Sequence, residues 1–75
     1  CMLQDRKGLI WLGTRDGLNR YDGYGFTCFR HNPGDSSSLA GNHVNSLAED
    51  AHGNIWVATD RGLSCFLREL GIFRT

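Results

Sequence analysis

Apolar positions along this chain come in short bursts, and none of them recurs with the spacing of a helix face. Residues 9–12 and 55–57 are unbroken apolar runs, 26–30 alternates aromatic with polar, and clusters of Gly, Asp and Asn punctuate the bursts. Runs of four to six β-favouring residues bounded by turn residues predict strands. The pattern places them at 1–4 (the end of one), 9–14, 18–21, 26–30, 44–48, 55–59, 63–67 and 72–75. Asp5-Arg6-Lys7-Gly8, Arg15-Asp16-Gly17 and Asp22-Gly23-Tyr24-Gly25 read as the hairpin turns between the first four. The apolar runs at 9–12 and 55–57 lack alternation, which predicts strands covered on both faces.

The pattern also repeats. Laying residues 3–22 over 48–67 needs no gap, and seven of the twenty pairs are identical: Asp5/Asp50, Gly8/Gly53, Ile10/Ile55, Trp11/Trp56, Thr14/Thr59, Gly17/Gly62 and Leu18/Leu63. A two-residue insertion in the last turn brings Phe73 over Phe26. Each period therefore holds four short antiparallel strands joined by hairpins. Four strands in roughly 40–50 residues is the blade of a β-propeller. The fold class expected is all-β: two successive four-stranded antiparallel blades, at 1–31 (short at its N-terminal side) and 43–75 (its outer strand incomplete), joined by a polar connector at 32–42. Cys1 overlays Ser46, in mid-strand, so a fragment of a larger propeller is expected.

Composition narrows the function. Eight acidic and eight basic residues cancel, which argues against a nucleic-acid surface. No apolar run approaches the roughly 18 residues of a membrane-spanning helix, so no membrane span is expected in this segment. Cys1, Cys28 and Cys65 share no metal-binding or disulfide spacing and read as ordinary, mostly buried thiols; His31, His43 and His52 lie in connectors or turns, and neither a metal nor another cofactor is expected.

The repeated phrase Asp-x-x-Gly-x-Ile-Trp-x-Gly/Ala-Thr-x-x-Gly-Leu resembles the two-component regulator propeller repeat. So does the connector Asn32-Pro33-Gly34-Asp35-Ser36-Ser37-Ser38-Leu39 with Asn42-His43-Val44-Asn45-Ser46-Leu47; Ala58, where Gly13 follows the commoner pattern, is a small departure. The resemblance implies a periplasmic sensor propeller in the extracytoplasmic half of a membrane histidine kinase. In some such systems the signal is a glycan fragment, and similar repeats precede diguanylate cyclases. Any kinase or cyclase module would lie outside these residues.

Residues that obey a repeat serve every blade alike. Trp11 and Trp56 are expected to pack between blades, Asp5 and Asp50 to close turns, and Thr14 and Thr59 to cap the turns that follow them. No catalytic residue is assigned. A sialidase-like glycoside hydrolase, the enzymatic alternative, is disfavoured because its Asp-box places Gly two residues after Asp, whereas Asp5/Gly8 and Asp50/Gly53 are three apart. A protein-interaction scaffold is the other alternative. Residues that break the repeat are the better ligand-binding candidates: Arg15/Asp60, Asp16/Arg61, Asn19/Ser64 and Arg20/Cys65, on or beside one hairpin turn. The partners expected are neighbouring blades of the parent chain, or further copies in a homo-oligomer, and a glycan or other small extracellular ligand.

Overall fold

The computed structural model describes residues 1–35 and 37–74. It holds eight strands: β1 (Met2–Gln4), β2 (Ile10–Thr14), β3 (Gly17–Tyr21), β4 (Phe26–Phe29), β5 (Val44–Glu49), β6 (Ile55–Thr59), β7 (Gly62–Leu67) and β8 (Ile72–Arg74). They form two antiparallel meanders in the orders β1-β2-β3-β4 and β5-β6-β7-β8. The predicted strands are all present, with ends shifted by a residue or so. Thr75, assigned to the last one, lies outside the described residues.

The register carries the repeat into three dimensions. Leu3, Trp11, Arg20 and Thr27 form one rung across the first sheet, and Ala48, Trp56, Cys65 and Arg74 form the matching rung across the second. Phe26 pairs with Tyr21, and Phe73 with Phe66, so the two-residue insertion in the last turn preserves the register as the sequence overlay requires. A β-bulge between Val44 and Ser46 offsets the start of β5.

Cross-strand partners share a face, and the two sheets stack through unlike faces. The first sheet contributes Trp11 and Leu18, with Leu3 and Phe29 at their edges. The second contributes Ile55, Val57, Phe66 and Phe73, with Leu47. Phe29, Phe66 and Phe73 form a ring cluster with centroids 5.1–5.5 Å apart, and Trp11 lies 5.2 Å from Phe66. Aromatic pairs at such separations add to simple area burial. Leu39 of the connector also enters this core. The connector is fastened as well: Ala40 N–H donates to Ser64 Oγ (2.9 Å), Gly17 N–H to Asn42 O (2.6 Å) and Phe73 N–H to Ser37 O (3.0 Å).

Three expectations are corrected. Trp56 is 39% exposed, whereas Trp11 is fully buried. The inner strands β2 and β6 are each covered on one face only: Ile10 and Leu12 are half-buried while Ile55 and Val57 are fully buried. The cause is the same, since this chain holds one blade-to-blade interface and each blade turns its other face outward. Among the thiols only Cys65 is buried; Cys1 and Cys28 are exposed.

Candidate ligand-binding face and the posts that hold it

Asp5 and Asp50 do more than close turns. Asp5 Oδ1 accepts the N–H groups of Lys7 and Leu9, both at 2.9 Å, which fixes the loop that Gly8 completes at φ 87°. Its other oxygen accepts the Trp11 indole N–H at 2.9 Å and the Arg68 guanidinium at 2.7 Å. Asp50 repeats the pattern: Oδ1 accepts from His52 and Asn54, and Oδ2 from the Trp56 indole at 3.1 Å. The Asp-to-Trp spacing of the repeated phrase is therefore a post: one carboxylate ties a turn to the tryptophan of the strand that leaves it. The signal lies in the fixed Asp-to-Trp spacing of the phrase, of which turn closure explains only a part.

Burial pushes the Asp5 carboxyl up, but the hydrogen bonds from Arg68, Trp11 and Leu9 outweigh it and hold the group below its ordinary 3.8. Desolvation at Asp50 is likewise outweighed by the Trp56 indole and the Asn54 and His52 amides. Carboxylates saturated with donors in this way stay ionised, which suits a structural post better than proton transfer. Thr14 and Thr59 cap the following turns as expected. Each hydroxyl donates to the glycine carbonyl three residues on, at 2.8 and 2.7 Å, and accepts the amide two residues on.

Strand direction puts the β2–β3 and β6–β7 turns at one end of the blades together with the connector. There a cleft of about 450 Å³ is bordered by Arg15, His31, Pro33, Gly41, Asn42, His43, Asp60 and Arg61. It gathers three of the repeat-breaking residues, Arg15, Asp60 and Arg61, all exposed and contributed by both blades. His31 Nδ1 lies 2.7 Å from Leu39 O and its amide donates to Asn42 Oδ1, so the imidazole sits on a braced connector. Further hollows of about 320 and 330 Å³ lie beside the β7–β8 turn and between β4 and β8, and neither is bordered by a repeat-breaking turn residue.

The remaining candidates lie elsewhere. Asp16 pairs with Arg30 at 3.0 Å on the surface. Asn19 is half-buried on the β3 face opposite Trp11. Arg20 lies in the blade-to-blade interface, its guanidinium carbon 5.4, 5.3 and 5.8 Å from the ring centres of Trp11, Phe29 and Phe66. A planar cation among aromatic faces packs and attracts at once. Cys65, at the matching position, is buried; Ser64, also fully buried, accepts the connector amide of Ala40.

Comparison with known proteins fits this geometry. The family described as "Two component regulator propeller" matches residues 1–16 and 38–61, together more than half of the chain. The chain belongs to this family. A curated relative, "Histidine kinase P4" of Formosa agariphila, is 54% identical over 37 residues, which is 49% of this chain and 3% of that protein. The regulator propeller chain thus spans a small part of its relative's length. Its two sheets are two propeller blades, and the matched segments cover the Asp5 turn with β2 and the Asp50 turn with β6.

Proposed function

We propose that these two blades belong to the extracytoplasmic, periplasmic sensor propeller of a two-component signalling protein. In that reading the chain catalyses nothing itself. It recognises a ligand outside the membrane and passes a conformational bias to a histidine kinase or similar output module elsewhere in the parent protein. Family membership supports the two-component setting, and the relative's name supports a kinase as the output.

The observation that carries ligand recognition is the cleft at the turn end. Arg15, Asp60 and Arg61 stand at matched turn positions that differ between the blades, and they border one hollow. Guanidinium forks beside a carboxylate suit an oxygen-rich ligand such as a glycan fragment, because they can donate to ring hydroxyl or acidic oxygens and accept in return. A ligand spanning Arg15 and Arg61 would touch successive blades, so binding would bias how they sit against each other.

The test is a signalling assay on the parent protein, with propeller and output segments intact, against a panel of glycan fragments. Arg15→Ala and Arg61→Ala should each abolish or weaken the response by about tenfold, as expected for loss of a charge-assisted hydrogen bond, while circular dichroism stays unchanged. A response unaltered in both variants would remove the cleft from the account.

A further inference from the structure

The chain contains one complete blade-to-blade interface and, on the outward face of its second blade, one half of another. Trp56 and Leu63 stand where Trp11 and Leu18 stand in the complete interface, with Ile72 beside them on the outer strand. Trp11 and Leu18 are fully buried, whereas Trp56, Leu63 and Ile72 are 39%, 53% and 39% exposed. The polar groups are matched too. Asp50 has every donor that Asp5 has within its own blade, namely two turn amides and one indole N–H. Asp5 has one more, from the neighbouring blade: Arg68, in the β7–β8 turn, donates to it at 2.7 Å. Arg68 is itself aimed by its own blade, since its Nε donates to Gly53 O at 2.7 Å and its amide to Asn54 Oδ1 at 3.2 Å.

Propeller blades stack face on face, and we infer that the blade packed on the open face around Trp56, Leu63 and Ile72 carries an arginine at the position of Arg68, and that this arginine pairs with Asp50 as Arg68 pairs with Asp5. The occupant follows from continuity with the interface already formed inside the chain. A second copy of the chain, offering its first blade, would bring apolar side chains (Ile10, Leu12, Tyr21 and Phe26 at the positions of Ile55, Val57, Phe66 and Phe73) but no arginine at the position of Arg68. Its β3–β4 turn reads Asp22-Gly23-Tyr24-Gly25, with glycine where Arg68 stands in the second blade. Arg74 lies on the docking face itself, on the outermost strand and in register with Cys65, not in the turn position of Arg68.

The experiment extends the chain with a second copy of residues 31–75, replacing the tryptophan of the added blade by phenylalanine. The added blade supplies its own arginine. The inference expects acrylamide quenching of Trp56 to fall severalfold, the urea midpoint to rise, and Asp50→Asn to lower that midpoint by as much as Asp5→Asn does. In the 75-residue chain Asp50→Asn should shift the midpoint far less than Asp5→Asn. Changing only the added arginine to methionine should abolish the sensitivity to Asp50→Asn. An extended chain no more stable than the original would overturn the inference, as would a quenchable Trp56 or an Asp50→Asn effect independent of the added arginine. So would self-association of the 75-residue chain that buries Trp56 without regard to Asp50.

Discussion

Trp11 and Trp56 occupy one position in one repeat, carry the same indole-to-aspartate hydrogen bond and pair with the same rung of their sheets. One is sealed and the other is more than a third exposed. The contrast runs through both faces and changes sign between them. Trp11 and Leu18 are buried where Trp56 and Leu63 are open, yet Ile55 and Phe73 are buried where Ile10 is half-covered and Phe26 is 64% exposed. The residue is identical within each pair, so the difference belongs to the neighbour. A repeat position specifies which surface a side chain is made for, and stacking decides whether that surface is covered.

Substitutions at paired positions break the comparison most sharply at the tryptophans. Trp11→Ala should cost about 3–5 kcal/mol in a urea melt, the range for truncating a buried aromatic. Trp56→Ala should cost about 1–2 kcal/mol, because more than a third of the residue already meets water. Equal losses would mean that the two faces are equally covered.

The aspartates come next. Asp5→Asn removes the nearer carboxylate charge from the Arg68 guanidinium, which also lies 3.9 Å from Glu49, and the Asp5 and Arg68 side chains lie mostly inside, 0% and 16% exposed. Breaking such a pair costs on the order of 3 kcal/mol. Asp50→Asn, on a more open carboxylate with no arginine paired to it, should shift the melt far less. The pH dependence has a defined sign. The folded Asp5 carboxyl lies below its ordinary 3.8, so its contribution is complete above that value and disappears as pH falls through the folded one. Wild type should therefore lose more stability than Asp5→Asn below about pH 4, read as the gap between their melts closing on acidification.

The smallest effect concerns Gly13 and Ala58. A Cβ on Gly13 would meet Val44 Cγ1 at 2.6 Å and crowd the Cys1 sulfur, because the second blade approaches there. The matching position on the open face holds Ala58. Gly13→Ala should cost about 1–3 kcal/mol by overpacking, and Ala58→Gly should change the melt little. Both are readable by thermal denaturation.

Much of the fold was legible because its signals are local. Apolar bursts, Asp-x-x-Gly turns and a gapless overlay locate the eight strands, and the register keeps Phe73 over Phe26 despite two extra residues. What escaped depends on contacts distant in sequence. Leu39 sits in a stretch of serines, and nothing nearby marks it as a core residue. Arg68 meets Asp5 across 63 positions. Arg20 reads from the overlay as a ligand-binding candidate, whereas its guanidinium packs against Phe66 of the second blade. At the cleft, the differing turn residues Arg15, Asp60 and Arg61 could be picked from the overlay. Their meeting with His31 and His43 could not, because it depends on how the connector folds back.

The central claim is that one of two equivalent faces is sealed by the neighbouring blade and the other is open, and acrylamide quenching of single-tryptophan variants tests it most directly. Trp56→Phe leaves only Trp11, which should emit in the blue and resist quenching, while Trp11→Phe leaves Trp56, which should emit further to the red and be quenched readily. Equal quenching of the two variants, both still folded by circular dichroism, would contradict the account.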